Sequence, residues 1–428
     1  MKKMIALVVG IILFTSYSAL SQNDKDYLKN YKAPNFRIRG LNVYFDALAS
    51  GGGTSSITSN QQYFSNDLFY FQRSNQERYQ GSVTSLFSQD FSHSKNVISD
   101  VNILGYDYLL RAQSQNFWYL KGQWFAGFHN YAQLSQNYNR VKDTSISLQT
   151  TQLNLNVSAS PTIGYGRLEP VTFGRQAMDI ERLLLKTGRI SGNFNEQQRT
   201  ELANKIAQIE NKRFYDIRLG RIYQLEAIDS VMGDMGLVTS RDIRYYSRLQ
   251  DAYLYNNLVQ RLSGWRNQIG FAANFDYTYS KNTSGISSDT ASFNPQVFNL
   301  FSYHLPQSYS IQHDFEVMTA VDLDSSSAVT GTIAYNFGWF PTTRTYLGAG
   351  VLGGISHVNG VTGRKVSVGV NSYYYVSPKL RLEGSFYFNA REDYNNHNLT
   401  YLSSERGYLP TSQPRYYSFS VGLNYAIF

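Results

Sequence analysis

The last stretch of the chain, Arg415 to Phe428, alternates strictly between two kinds of side chain. Its odd positions from Tyr417 to Ile427 are aromatic or aliphatic, whereas its even positions from Ser418 to Ala426 are small or polar. Successive side chains of a strand point to opposite faces, so this pattern predicts a β-strand with one apolar and one polar face. Such a strand fits a sheet that has lipid on one side and water on the other.

The end of this stretch resembles the terminal assembly signal of bacterial outer-membrane β-barrel proteins. That signal places a polar residue, a glycine, an aromatic residue and an apolar residue at fixed spacing. The matching residues are Ser420, Gly422, Tyr425 and Ile427, and Phe428 lies one position beyond the pattern. The resemblance implies outer-membrane lipid as the environment and insertion by the barrel-assembly machinery.

The N-terminus has the features of a secretory signal peptide. Lys2 and Lys3 precede an apolar run over residues 4–14, and Ala-Leu-Ser at 19–21 is a typical cleavage site. We therefore expect a mature chain that begins near Gln22. Loss of the two lysines lowers the formal net charge from +8 to +6.

The composition favours a membrane β-barrel. After the signal peptide, no stretch contains the ~18 apolar residues that a spanning helix requires. Aromatic residues make up 15% of the chain, with 35 Tyr, and only 16% is charged; Tyr is favoured where lipid meets water. The absence of cysteine excludes a disulfide-stapled fold. The mild basic excess gives no indication of nucleic-acid binding.

Fourteen segments have the length of a tilted membrane strand, which predicts a membrane β-barrel of about 14 antiparallel strands. Six precede a central region with a different period, and eight follow it. The segments are 36–48, 63–73, 79–90, 101–113, 117–130, 152–163, 265–279, 296–303, 309–321, 329–340, 343–355, 365–376, 379–391 and 415–428.

The central region has a period near 3.6 and predicts an inserted bundle of about four α-helices. A first helix is expected over about 173–187, Asn195 and Gln198 form a capping box for the second, and Ser240 caps the last. The third carries an apolar stripe of Ile217, Leu219, Ile222, Leu225, Ile228 and Val231. The predicted organisation is a signal peptide (1–21), a first barrel half (22–163), a helical domain (164–264) and a second barrel half (265–428).

The lengths of the breaks between segments predict on which side the helical domain lies. Counted back from the last strand, long and short breaks alternate, for example 392–414, 377–378 and 356–364. Outer loops are longer than periplasmic turns in such barrels, so the alternation assigns the helical domain to the periplasm. A plug folded into the lumen is the alternative.

Charged residues on the polar faces of the strands are the candidate lumen lining. They are Arg266, Asp276, Asp314, Glu316, Arg381 and Glu383. Two interpretations stay open: cross-strand ion pairs that stabilise the interior, or a pore lining that sets selectivity.

The stretch 165–170 joins the sixth strand to the first helix. Arg167 and Glu169 could pair at this turn and orient the helical domain under the barrel mouth. Together with the insert, this junction resembles outer-membrane proteins of the Bacteroidota of uncharacterised function, and the resemblance implies no activity.

No catalytic, metal or cofactor site is expected. The six histidines are scattered, and Gly348, Gly350 and Gly353 match a dinucleotide fingerprint only by letter, because they lie inside a predicted strand. His313 falls on an otherwise apolar strand face, the one feature that resembles an outer-membrane lipase. Asp322 and Asp324 could bind a divalent cation, although a solvated turn is the simpler interpretation.

Three functions are compatible with the sequence. The first is a channel or passive transporter with a periplasmic helical domain. The second is a non-conducting membrane anchor whose helical domain binds a periplasmic or envelope partner. The third is an outer-membrane hydrolase that depends on His313.

Overall fold

The computed structural model describes residues 27–54, 57–96, 101–143, 147–210, 212, 217–255, 261–323, 328–377, 380–392, 394 and 415–425. The predicted signal peptide lies outside these residues. A short helical turn at 27–30 and an extended segment lead into the first strand.

Fourteen strands form one sheet. They are β1 (Phe36–Thr54), β2 (Ile57–Gln76), β3 (Tyr79–Asn96), β4 (Asn102–Tyr119), β5 (Trp124–Lys142), β6 (Ser147–Pro170), β7 (Leu262–Asn282), β8 (Ser287–Leu305), β9 (Ile311–Asp322), β10 (Val329–Thr342), β11 (Thr345–Val358), β12 (Val361–Ser377), β13 (Leu380–Glu392) and β14 (Arg415–Tyr425).

Every strand pairs antiparallel with the next one along the chain, so the topology is a simple up-and-down barrel. The predicted number and direction of the strands are confirmed. β6 and β7 are also direct neighbours, paired as far as Pro170↔Leu262, although a helical insert separates them in sequence.

The seam of the barrel lies between β1 and β14. Among the described residues, no ladder joins these two strands. The outward side chains of β14 are correspondingly open, with Tyr417 77% exposed and Leu423 65% exposed. An edge strand loses the cover of one neighbour, which accounts for this exposure.

One predicted turn was wrong. The residues 114–116, which were expected to separate two strands, lie inside β4, and the turn falls at 120–123. Gly122 adopts φ +66° there, a conformation that glycine reaches without strain. The polar residues 114–116 mimic a turn in the sequence, but their backbone groups are paired with β5.

The breaks predicted at 49–62, 91–100, 131–151 and 280–295 were also misjudged, because most of each is strand. β7 and β8, for example, continue to a turn at 283–286. Residues 287–293 of β8 are exposed on both faces. A strand in water on both sides has no apolar face, so its period-two signal disappears although its ladder persists.

The insert contains four helices: α1 (Thr172–Lys186), α2 (Glu196–Glu210), α3 (Ile217–Asp234) and α4 (Ile243–Leu254). The predicted capping box is confirmed, since the Asn195 and Gln198 backbone amides donate to each other's side chains at 2.9 and 2.8 Å. The predicted Ser240 cap was wrong. Asp242 caps α4 instead, because its carboxylate accepts from the Tyr245 amide at 2.9 Å.

The helices bury a common apolar core. Its fully buried members include Ile180, Leu184, Leu202, Ile206, Ile228, Met232 and Leu249. The predicted stripe on α3 is only half correct. Ile228 is buried, whereas Leu219 and Ile222 are 63% and 54% exposed, since α3 packs mainly along α2 and only weakly on α4.

The helices sit at one edge of the sheet, which we call the insert edge. This edge also holds the connections 77–78, 120–123, 306–310 and 343–344, and the paired ends of β12 and β13 at Ser377 and Leu380. The insert follows β6, and its contacts with β1, β10 and β12 lie near the ends of those strands at the same edge. The bundle therefore covers the mouth of the barrel.

Candidate functional site

The outward face of the barrel is apolar. On β7, Trp265, Ile269, Phe271 and Phe275 alternate with inward residues and are 39–54% exposed. The same alternation places exposed apolar side chains on the neighbouring strands, such as Val297 on β8 and Ile333 on β10. A continuous exposed belt of this kind requires lipid around it, and the fold is that of a membrane-spanning β-barrel.

Among the described residues, no helix is both long enough and apolar enough to cross a bilayer.

The inward face is largely polar and well hydrogen-bonded. On β7, Gln268 and Asn274 are buried; Gln268 contacts the His129 ring at 3.2 Å, and Asn274 donates to Gln296 Oε1 at 3.2 Å. Apolar patches interrupt this face, and the largest is formed by Ala272, Phe298, Leu300, Met318 and Ala320. Part of the interior is thus packed protein rather than water.

All six predicted lumen residues lie on this inward face, but on two separate walls. On the β7–β9 wall, the Arg266 guanidinium lies 3.8 Å from the centre of the Phe117 ring. Asp276 accepts from Asn294 at 3.4 Å. Asp314 accepts from Gln312 at 2.8 Å and contacts His304 across the strands at 2.6 Å, two residues before Glu316.

On the second wall, Arg381 and Glu383 form an ion pair. They lie two residues apart on one face of β13, so this pair runs along a strand rather than across two as predicted. Arg381 also lies 5.7 Å from the centre of the Tyr373 ring. The sequence identified the charged residues but missed the aromatic rings that surround them.

Arg167 and Glu169 form the predicted ion pair, at 2.6 Å. The stretch 165–170 was expected to be a turn, yet it is the last part of β6 and pairs with β7. The Arg167 guanidinium also donates to the carbonyls of Glu77 and Gln76, at 2.7 and 2.9 Å. These contacts tie the end of β6 to the β2–β3 turn at the rim.

A second arginine, which the sequence analysis missed, anchors the other end of the insert. Arg261 is 1% exposed and immediately precedes β7. Its guanidinium donates to the carbonyls of Ser308 and Ile311 at 2.7 and 2.8 Å, to the Tyr309 carbonyl, and to Gln312 Oε1 at 3.2 Å. Both connections between the insert and the barrel are thus stabilised by an arginine that hydrogen-bonds to backbone carbonyls of neighbouring turns.

α1 is buried on all its faces at the barrel mouth. Residues 173–181 are all buried, a run of more than two turns that includes the charged Arg175, Asp179 and Glu181. Arg175 pairs with Asp179 at 3.3 Å, and both side chains are 4% exposed. Glu181 accepts from Arg199 at 2.7 Å and from the Phe194 amide at 2.9 Å.

The contacts of α1 are spread around the rim. Its first residues follow β6, the Phe173 ring packs edge-on against Phe36 of β1 at 5.3 Å, and Arg175 lies 4.4 Å from the centre of the Phe340 ring on β10. In a fourteen-strand barrel, β1, β6 and β10 are four or five strands apart in every direction. A helix whose first turn is joined to β6 and contacts β1 and β10 lies over the mouth.

The other end of the bundle contacts the rim between β10 and β12. Arg344, in the β10–β11 turn, donates to Asp251 of α4 at 2.9 Å. The Tyr255 ring, just after α4, lies 5.3 Å from that of Tyr375 on β12. The bundle is therefore held from several sides.

The predicted assembly signal is only partly described. Ser420 and Gly422 lie on the inward face of β14, opposite Ser385 and Glu383, and Tyr425 is the last residue of the strand. Ile427 and Phe428 lie outside the described residues. Ser420, Gly422 and Tyr425 thus lie in β14, and the role of the five residues in assembly stays a prediction.

The side chains considered for catalysis or metal binding have other partners. His313 faces outward on β9, and its ring nitrogens contact the Tyr335 hydroxyl at 2.7 Å and Gln307 at 2.6 Å. Asp322 accepts from Gln296, whereas Asp324 lies outside the described residues. Within the described chain, no group of three or more His, Asp or Glu side chains could hold a metal ion.

No protein-family model matches the chain, and no curated protein sequence matches it. Among solved structures, it is similar to the ferric yersiniabactin uptake receptor FyuA from Yersinia pestis, with 8% identity and a TM-score of 0.36 over 84% of this chain. The chain spans 50% of that receptor's length.

It is also similar to the translocator domain of autotransporter NalP from Neisseria meningitidis, with 6% identity and a TM-score of 0.31, covering 95% of this chain and 93% of that one. The third similar structure is the deltaS2 mutant of the monoaromatic hydrocarbon channel TodX, with 6% identity and a TM-score of 0.31, covering 85% and 86%.

Proposed function

We propose that this protein is an outer-membrane channel or passive transporter whose helical bundle closes the barrel mouth from the periplasmic side. The observation that carries the proposal is the position of α1, which follows directly on β6 and contacts β1 and β10. A helix held across the mouth by a few side chains is suited to act as a gate.

The proposed compartment rests on independent features of the chain. The N-terminal residues have the pattern of a signal peptide, and the C-terminal strand resembles a barrel-assembly signal. The apolar belt requires lipid. Outer-membrane lipid and the barrel-assembly machinery are accordingly the first proposed partners.

The interior supports passage of polar cargo rather than catalysis. It combines hydrogen-bonded side chains, such as His304 and Asp314, with charges that are locally compensated, as in the pair Arg381–Glu383. The ring nitrogens of His313 contact Tyr335 and Gln307, and neither partner is a serine nucleophile. We therefore propose a protein that is not an enzyme and requires no cofactor.

One observation favours the anchor as a second function. Leu219, Ile222 and Ile243 of the bundle are 54–85% exposed, outside its core. Exposed apolar side chains on a helical domain fit a contact with a periplasmic or envelope protein. In this alternative, the barrel only holds the bundle at the membrane.

Conductance in a planar bilayer tests the proposal. In a variant that replaces residues 171–261 with a short turn, the barrel should still close that gap, because Pro170 and Leu262 are paired neighbours. We expect the full chain to be mostly closed and this variant to carry steady current. A full-chain variant with Arg248→Ala is the control. It removes a half-exposed 3.8 Å pair with Asp251 but leaves the shorter Arg344–Asp251 pair to the rim in place, so it should behave as the parent.

Two outcomes would contradict the proposal. If neither the full chain nor the variant without the bundle conducts current, the channel is rejected and the membrane anchor remains as the function. Equal, steady conductance of both would show that α1 does not obstruct the mouth.

A further inference from the structure

A cavity of about 490 Å³ lies in the barrel wall formed by β11 to β14, just above the bundle. This volume is within the range of small-molecule sites, roughly 300–1,000 Å³. Its lining includes Tyr346, Tyr373, Asn371, Arg381, Glu383 and Ser420. The cavity adjoins the mouth contacts of α1, because the Tyr346 ring lies 4.9 Å from the Phe340 ring that Arg175 contacts. It shares no residue with the apolar patch on β7, β8 and β9.

Two stacked aromatic rings line this cavity. Tyr346 and Tyr373 stack with their centres 5.3 Å apart and their planes 27° apart. Tyr346 lies flat because Gly348 has no side chain; a Cβ at that position would come within 2.3 Å of the Tyr346 hydroxyl and 2.2 Å of Asn371 Oδ1. Gly348 thus makes room for both groups.

The polar groups beside the rings carry both donors and acceptors. Arg381 and Glu383 compensate each other's charge, so the wall attracts neither cations nor anions strongly. Within the described part of the chain, Nε of Arg381 is buried without a hydrogen-bond acceptor. Gly422 stands opposite Glu383 with no atom within 4 Å of its absent Cβ, which leaves the carboxylate side open.

A ligand for this wall needs an apolar face, closely spaced hydroxyl groups and no net charge. A sugar ring has all three, because its C–H face can stack on an aromatic ring while its hydroxyls bridge a carboxylate, a guanidinium and an amide. A hydrocarbon would leave the polar groups unsatisfied, and an ion would meet a neutralised pair.

We propose that the cavity between Tyr346, Tyr373, Arg381 and Glu383 is a binding site for neutral mono- or disaccharides within the lumen. If the protein is the proposed channel, this sugar is its cargo; that part of the inference rests on the proposed function. Binding itself can be measured without any current. The site touches the bundle through Tyr375, whose ring lies 5.6 Å from Tyr373 and 5.3 Å from Tyr255.

The test is titration calorimetry of the purified full chain with glucose and maltose. The detergent must carry no sugar headgroup, because an alkyl maltoside would occupy the site itself; an amine-oxide detergent avoids this. The variant without residues 171–261 is titrated in parallel, since the bundle covers the mouth. Glutamate and benzyl alcohol serve as a charged and an aromatic probe.

We expect saturable binding of at least one sugar, weakened about ten-fold by Tyr373→Ala, which equals ~1.4 kcal/mol. Glu383→Gln should also weaken it, whereas Tyr373→Phe should retain it. Tyr131→Ala removes a tyrosine from the lumen side of β5, outside the cavity, and should leave the affinity unchanged.

The proposal is overturned if neither protein binds either sugar, if Tyr373→Ala and Tyr131→Ala weaken binding equally, or if only glutamate or benzyl alcohol binds. Current in the bilayer with no sugar binding would reject this site and leave the channel intact. Sugar binding without current in any variant would reject the channel and keep the site.

Discussion

The Arg175 guanidinium on α1 lies 4.4 Å from the centre of the Phe340 ring on β10, and both side chains are almost completely buried. This contact joins the helical insert to a strand far along the chain from the point where the insert begins. It is a cation–π interaction, which becomes stronger when water is excluded. The gate proposed above depends on such contacts.

The Arg175 contact can be weakened selectively. Arg175→Ala removes the interaction with Phe340 and takes the paired cation away from the buried Asp179, so we expect a loss of about 3 kcal/mol in the stability of the docked bundle. The measurement is thermal unfolding of the helical circular dichroism signal. Arg248→Ala, at a half-exposed 3.8 Å pair, should cost less than about 0.5 kcal/mol. Equal effects of the two variants would contradict the assignment.

Stability of the bundle should fall at alkaline pH. Burial raises the pKa of Tyr27, which packs in the bundle core, to about 12. The unfolded tyrosine ionises near pH 10, so the stabilisation is complete below about pH 10 and is lost between about pH 10 and 12. The slope from this one group is at most about 1.4 kcal/mol per pH unit.

Chemical denaturation of the full chain at pH 8, 10 and 11 checks this dependence. The Tyr27→Phe variant has no ionisable hydroxyl at this position, so its free energy of unfolding should decline less steeply with pH. The contributions of other titrating groups remain in both proteins. A variant whose stability declines as steeply as that of the parent would show that Tyr27 does not contribute.

Gly166 at the end of β6 should not tolerate a side chain. Its φ is +101°, and a Cβ would lie 2.4 Å from the Trp265 carbonyl oxygen on the paired strand. Gly166→Ala therefore combines backbone strain with a clash against backbone, and we expect a clear loss of folded barrel. Gly353→Ala is the matched control, because nothing lies within 4 Å of that position. Heat-modifiable gel mobility measures the folded fraction; equal yields of the two variants would refute the account.

The side on which the bundle lies can be tested with protease. If it faces the periplasm as proposed, trypsin added to intact cells should not cleave after Arg199 or Arg213, and cleavage should begin once the outer membrane is opened. Arg199 pairs with the buried Glu181, so cleavage after Arg199 should be slow while the bundle is folded. Cleavage at either site in intact cells would place the bundle outside.

Sequence reasoning succeeded where one local period controlled the structure. The fourteen strands were predicted because lipid on one side and the lumen on the other impose alternation, as in β7 between Trp265 and Phe275. It failed where both faces meet water, as in residues 287–293, and where polar residues inside β4 resembled a turn. The inward charges were predicted from alternation alone, but not which of them pair.

The sequence by itself determined the number of strands, their direction, the face each side chain presents and the presence of a helical insert, because these follow from repeats within a single segment. The tertiary structure alone decided that α1 crosses the mouth, that Arg175 and Arg261 are buried, and that Tyr346 and Tyr373 stack beside Arg381. Those arrangements join residues from different strands and helices. They form because segments that are distant in sequence come together around one lumen. Contacts of this kind produce no periodic pattern in the sequence, so they could not be predicted from it.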